Sequence, residues 1–184
     1  MDIVEKKIIS IGGGGFTHQT DKFLDEFIIN QIIDRKIKFG FLPTASKDNL
    51  NKINLYYEEL KKYNLELSHF ELCSKVKGFS NWIMDQDIIY VGGGNTNFML
   101  DLWQANKLYK YFEKAYNSGI ILSGVSAGAV CWFEWIFTDS LGDGYKPLRG
   151  MNFISGSCTP HAAEKNRIYE LSLIHISEPT RRYR

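Results

Sequence analysis

The 184-residue chain is 44% hydrophobic and 23% charged, a composition that suits one folded domain with a sizeable core. Its formal net charge is +1, and basic residues do not cluster before the last few positions, which argues against a nucleic-acid partner. No apolar stretch approaches the roughly 20 residues that a membrane-spanning helix needs, so no membrane partner is expected.

The first half of the chain alternates short apolar runs with segments of helical spacing. Residues 7–11 and 38–42 are predicted strands, because each is a short apolar run that stops at glycine or proline. Residues 21–33 and 51–63 place apolar side chains near helical spacing and are predicted helices. A third strand is predicted over residues 65–72.

The second half continues this alternation. Strands are predicted over residues 87–91 and 119–124, with helices over 97–103 and 108–117 between them. Several of these strands are continuously apolar, which is typical of a parallel sheet covered on both faces. The sequence therefore predicts a single α/β domain over residues 1–170, a three-layer, mostly parallel sheet with helices on both faces.

Three segments fall where such a sheet binds ligands, at the carboxyl ends of its strands. They are the glycines after the first strand, the glycines after the fourth and the turn after the fifth, and we expect them to converge. The first run, residues 12–15, lacks the third glycine of the dinucleotide fingerprint, because Thr17 stands at that position. We therefore expect this loop to form part of a pocket wall, not a nucleotide site.

Cysteine usage argues against both a disulfide framework and a zinc site. The three cysteines are widely spaced and contain no C-x-x-C pair (Cys73, Cys131 and Cys158). The first residues, MDIVEKK, form no apolar signal segment. A cytoplasmic protein with free thiols is expected.

The last 14 residues differ in character from the rest of the chain. Residues 171–181, LSLIHISEPTR, resemble the translation of a transposon-type sequencing adapter. We therefore interpret residues 171–184 as an artificial, adapter-derived tail and exclude them from fold reasoning. On this interpretation the natural protein continues beyond Glu170.

The turn after the fifth strand carries the strongest chemical signal. Residues 124–128 read GVSAG, which fits G-x-S-x-G between a strand and a helix. A serine on such a turn exposes its hydroxyl, and the N–H groups at the start of the following helix face a developing oxyanion. Ser126 is therefore the predicted nucleophile. Trp132, Phe133 and Trp135 are predicted to lie on the helix that follows, buried in the core.

Two stretches together resemble peptidase family S51, which includes dipeptidase E and cyanophycinase. They are VGGGNTNF at residues 91–98 and GVSAGA at residues 124–129, each directly after a predicted strand. The resemblance implies a fold like that of class I glutamine amidotransferases, of the flavodoxin-like type, with serine in place of their cysteine. It also implies hydrolysis of short peptides, typically beside an aspartyl residue.

The resemblance also implies an oxyanion site. Gly93 or Gly94 and the residue after the serine, Ala127, match the positions that supply backbone N–H groups to the substrate carbonyl. Asn95, in the same loop, is assigned to substrate binding.

The serine needs a base, and four histidines are candidates: His18, His69, His161 and His175. His161 follows Pro160 and a presumed strand at residues 151–154, where the family carries its catalytic histidine. The family commonly has an aromatic and an acidic residue after this histidine, whereas this chain has alanines, so the pocket rim is expected to differ. Asp139 is the predicted orienting acid, with Glu134 and Asp143 as rivals.

The predicted function is that of a serine peptidase that cleaves short peptides, aspartyl dipeptides above all, through an acyl-enzyme. A glutamine amidotransferase-like amidase and a non-catalytic binding module of the same fold are the alternatives. The chemistry requires no metal or organic cofactor, and the expected partner is a small peptide substrate. The sequence does not determine the oligomeric state.

Overall fold

The computed structural model of the chain describes residues 4–161. A five-stranded sheet forms its centre, with the strand order β1-β5-β4-β2-β3 and parallel pairing between all neighbours. Its strands are β1 (Ile8–Ile11), β2 (Ile37–Leu42), β3 (Leu65–His69), β4 (Ile88–Val91) and β5 (Ile121–Val125). Each of these lies within a predicted strand or within one residue of it.

Helices cover both faces of this sheet, and successive side chains of β4 contact different apolar clusters. Ile88 and Tyr90 join one apolar cluster, whereas Ile89 and Val91 join the other. The first cluster includes residues of α1 (Phe23–Ile29) and α2 (Leu50–Leu60). The second includes residues of α3 (Phe79–Met84), α4 (Thr96–Ala105) and α5 (Tyr109–Asn117). The predicted α/β class, a parallel sheet with helices on both faces, is confirmed.

The chain then forms a second, three-stranded sheet that was not predicted. A one-turn helix, α6 (Ala127–Val130), leads into β6 (Phe133–Thr138), β7 (Lys146–Arg149) and β8 (Ile154–Cys158). The strand β6 pairs antiparallel with β7 and parallel with β8.

The predicted helix through Trp135 is therefore wrong. Trp132 follows the short helix and is fully buried, as expected, but Phe133 and Trp135 belong to β6, and Trp135 is exposed. The segment FEWIFT is rich in aromatic and β-branched side chains, which favour a strand over a helix. The strand presumed over residues 151–154 likewise starts later, at Ile154.

The helix α1 is shorter than predicted, and the face that it buries differs from the face that its apolar spacing predicted. Phe23 and Phe27 are 64% and 58% exposed, whereas Asp25, Ile28 and Ile29 are buried. Apolar side chains occur on two adjacent stripes of this helix, and only contact with the sheet decides which stripe is covered. No helix within residues 4–161 is both long enough and apolar enough to cross a lipid bilayer.

Candidate active site

Ser126 lies in a sharp turn between β5 and α6. Its φ of 54° and ψ of −112° are strained for a residue that carries a Cβ. The helix must start close to the sheet, because a Cβ at Gly128 would overlap the carbonyl oxygen of Val91 on β4. The glycine two residues after the serine is thus required by packing, as the motif predicts.

The side chain of Ser126 meets His161. Its Oγ lies 2.9 Å from Nε2 of the imidazole, and both residues are half-buried. The histidine is carried there by the segment after β8, where the Thr159 hydroxyl donates a 3.0 Å hydrogen bond to the carbonyl of Phe137 on β6. The second sheet therefore positions His161 beside Ser126, although the two residues are 35 positions apart in the sequence.

Both glycine loops border this pair. A Cβ at Gly93 would lie 3.2 Å from Cβ of Ser126 and 3.8 Å from its Oγ. On the other side, a Cβ at Gly13 would lie 3.6 Å from Nδ1 of His161. The two glycine loops and the serine turn thus converge, as their positions after β1, β4 and β5 predicted.

Three backbone N–H groups beside Ser126 are available to a ligand. Those of Gly93, Gly94 and Ala127 donate no hydrogen bond to any residue within 4–161, whereas the flanking N–H groups of Gly92 and Asn95 are bonded to Leu42 and Ala45. Ala127 opens α6, so its N–H also lies at a helix N-terminus. These are the groups an oxyanion would need.

Asn95 has a structural task of its own. Its Oδ1 accepts a 2.8 Å hydrogen bond from the N–H of Phe98 and so caps α4, while its Nδ2 lies 3.4 Å from the carbonyl of Ser140. Its N–H donates to Ala45 at 2.7 Å, and Gly94 must be glycine because a Cβ there would overlap the same carbonyl. This residue fixes the end of the loop next to the serine.

His18 and His69, the other histidines within residues 4–161, form their hydrogen bonds with residues other than Ser126. His18 is exposed and contacts Thr17 and the carbonyl of Gly14, while His69 lies 2.7 Å from the Tyr57 hydroxyl. His175 lies outside the described residues.

The predicted acid, Asp139, lies at the end of β6 and is exposed. In the parallel pairing of β6 with β8 the last pair is Ile136 with Cys158, and Asp139 and His161 each follow that pair by three positions in the sequence. Its rivals are placed differently. Glu134 lies 3.7 Å from Arg149, and Asp143 lies in the exposed turn before β7.

Cys131 is not placed to act as a nucleophile. It is fully buried behind α6, its Sγ donates to the carbonyl of Gly128, and burial raises its pKa well above the ordinary thiol value. Within residues 4–161 no group of histidine, cysteine and acidic side chains is arranged to hold a metal ion.

Sequence reasoning missed Lys52, whose Nζ donates a 3.0 Å hydrogen bond to the carbonyl of Gly93. A signal for it was present. Lys52 lies in the first turn of α2, where the helix dipole disfavours a cation. A lysine at this unfavourable position could have been singled out as a candidate site residue.

Comparison with known proteins agrees with this geometry. The model of peptidase family S51 matches residues 8–182. The uncharacterized peptidase YgaJ of Bacillus subtilis (strain 168) is 39% identical over 165 residues, which are 88% of this chain and 71% of that protein.

Two solved structures share the fold. A 1.5 Å crystal structure of a candidate peptidase E from Listeria monocytogenes EGD-e superposes with a TM-score of 0.66 at 17% identity, covering 94% of this chain and 88% of that one. A peptidase from an acI-B1 actinobacterium gives 0.65 at 20% identity, covering 82% of this chain and 66% of that one. With its family match, its 39% identical relative and a serine–histidine pair at the strand edge, the chain belongs to peptidase family S51, a family of serine peptidases.

Proposed function

We propose that this protein hydrolyses short peptides, aspartyl dipeptides above all, through an acyl-enzyme on Ser126. The observation that carries the proposal is the 2.9 Å hydrogen bond between Ser126 Oγ and His161 Nε2, beside three N–H groups that no residue within 4–161 occupies. A serine hydroxyl becomes an effective nucleophile when a neighbouring base accepts its proton.

In the first half of the reaction, Ser126 Oγ attacks the peptide carbonyl carbon while His161 Nε2 takes the hydroxyl proton. The carbonyl oxygen becomes an oxyanion, which accepts hydrogen bonds from Ala127 and from Gly93 or Gly94. His161 then gives its proton to the leaving amine as the C–N bond breaks, leaving an ester on Ser126.

In the second half, His161 removes a proton from water, and the resulting hydroxide attacks the ester. Collapse of the second tetrahedral intermediate releases the acid, and the serine oxygen regains its proton from the imidazolium. Every step uses protons already present, so the cycle needs no external reductant, oxidant or metal.

Asp139 is proposed to orient the His161 ring and to stabilise the imidazolium. The spacing supports this, because each of the two residues follows the last β6–β8 pair, Ile136 with Cys158, by three positions. Asn95 is proposed to act by fixing the glycine loop at the start of α4, with its amide at the rim for contact with substrate.

The aspartyl preference rests on the resemblance to family S51. An acidic substrate side chain would require a cation at the pocket.

The test compares Ser126→Ala with Ser118→Ala, an exposed serine at the opposite end of β5. Hydrolysis of Asp-Leu, β-aspartyl-Leu, Ala-Leu and glutamine is followed by amine release. We expect Ser126→Ala to lose at least about 1,000-fold in kcat on the preferred dipeptide, while Ser118→Ala keeps wild-type rates. Aspartyl hydrolysis by Ser126→Ala at the wild-type rate would refute the proposal, and preference for glutamine would refute the substrate class.

A further inference from the structure

Lys52 reaches the second glycine loop from the first turn of α2. Its Nζ donates to the carbonyl oxygen of Gly93 at 3.0 Å. A Cβ built on Gly93 would lie 3.2 Å from Cβ of Ser126. One glycine is thus held by the lysine through its carbonyl, while its side-chain position faces the candidate nucleophile.

The ammonium group is placed where a cation is costly. Lys52 is half-buried in the first turn of α2, and burial lowers the pKa of its amino group. No carboxylate within residues 4–161 forms an ion pair with it. Asp48 accepts from the N–H of Cys73 at 2.7 Å, and Glu59, on the same helical face, accepts from Gln19 at 3.3 Å.

The bond to Gly93 constrains the next N–H group. The carbonyl of Gly93 and the N–H of Gly94 belong to one planar trans peptide, so they point in opposite directions. The far end of the loop is fixed independently, because the N–H of Asn95 donates to Ala45 at 2.7 Å. The peptide between the two glycines is therefore anchored on both sides, with one N–H left to bind a ligand.

We propose that Lys52 is a positioning residue of the oxyanion site: by holding the Gly93 carbonyl, it directs the Gly94 N–H toward the acyl oxygen at Ser126. Its positive charge also favours the negative oxygen that develops there. This inference rests on the proposed function and adds to it a residue that the sequence motifs do not contain.

The experiment compares Lys52→Met, which removes both charge and donor but keeps the stem, with Lys52→Arg, which keeps both. Lys47→Met, an exposed lysine on the preceding turn, is the matched control. We expect Lys52→Met to lower kcat about 10- to 100-fold with KM changed less than about threefold, because an oxyanion interaction forms only in the transition state. Lys52→Arg should recover most of the loss, and Lys47→Met should match the wild type.

The pH profile separates this role from a merely structural one. The wild-type kcat should fall as pH rises through the lowered pKa of Lys52, because the amine loses its charge. Lys52→Arg should lack that alkaline limb, since a guanidinium stays protonated. A profile unchanged in Lys52→Arg, or a Lys52→Met variant with wild-type kcat, would overturn the inference.

Failure of this inference differs from failure of the proposed function. A Ser126→Ala variant with wild-type activity would refute both the serine mechanism and the role of Lys52. An inactive Ser126→Ala variant beside a fully active Lys52→Met variant removes only the role of Lys52, and leaves the serine mechanism in place.

Discussion

The serine–histidine contact has a direct consequence for the other histidines. Among the histidines within residues 4–161, only His161 hydrogen-bonds to Ser126, while His18 is exposed and His69 contacts Tyr57. We expect His161→Ala to lower kcat at least about 1,000-fold, because the hydroxyl loses its base. His18→Ala and His69→Ala should each retain more than about a third of the wild-type kcat. Steady-state kinetics of the three purified variants checks this. A loss of kcat in His18→Ala as large as the loss in His161→Ala would identify His18 as the base instead.

The serine turn also limits which residues can flank it. A Cβ at Gly128 would overlap the Val91 carbonyl, so α6 would have to move away from the sheet. We expect Gly128→Ala to lower the free energy of unfolding by about 1–3 kcal/mol, as overpacking typically does. Gly12→Ala is the control, since nothing lies within 4 Å of its Cβ position and its φ is not positive. Urea unfolding of both variants measures the difference, and equal stabilities would contradict the packing argument.

At the scale of elements, the small sheet positions His161, the proposed base. Its strand β8 pairs with β6, and the Thr159 hydroxyl bonds to Phe137 just before the chain reaches His161. Asp139 and His161 each follow the last β6–β8 pair, Ile136 with Cys158, by three positions. Loops alone would give the imidazole far less support than this paired strand does.

The substitution Asp139→Asn tests the proposed orienting acid directly. We expect Asp139→Asn to lower kcat about 100- to 10,000-fold, because the amide holds the wrong tautomer and does not stabilise the imidazolium. Glu134→Gln and Asp143→Asn should stay within about threefold of the wild type. If Asp143→Asn shows the large loss instead, the acid comes from the turn before β7.

At the scale of the whole molecule, stability should depend on pH through Asp25. This side chain is 4% exposed beneath the first glycine loop, and burial raises its pKa from 3.8 to about 6. The folded state therefore holds the proton more tightly than the unfolded state, and stability is lost as pH rises from about 4 to about 6. A shift of this size corresponds to about 3 kcal/mol.

Asp25→Asn removes this titration. Relative to the wild type, its free energy of unfolding should increase by about 2 kcal/mol between pH 4 and pH 7, because only the wild type must bury a charge at the higher pH. Asp143→Asn, on an exposed turn, serves as the control and should show a flat difference. Urea titrations at both pH values measure it. A pH-independent difference for Asp25→Asn would show that the carboxyl is not protonated in the folded state near pH 5.

Much of this molecule follows from local patterns. Continuous apolar strands predict a parallel sheet, and the placement of glycines after those strands predicts that Gly13, Gly93 and Ser126 meet. These features depend on short-range spacing, which a single sequence records. The family resemblance pointed to His161, which lies beside Ser126.

The rest depends on long-range contacts that no local pattern encodes. The composition of the FEWIFT segment favours a strand, but which strands it pairs with, β7 and β8, depends on residues that follow it in the sequence. Two apolar stripes on α1 were equally plausible before the sheet covered one and buried Asp25. Lys52 reaches Gly93 from 41 residues away, and neither residue belongs to a motif that names the other.

Covalent labelling tests most directly whether Ser126 is a nucleophile activated by His161. The full chain is treated with a fluorophosphonate, digested, and its peptides are mapped by mass spectrometry. We expect one adduct, on the Oγ of Ser126, formed much more slowly in His161→Ala and absent from Ser126→Ala. An adduct on a different serine, or none on the folded wild-type chain, would contradict this expectation.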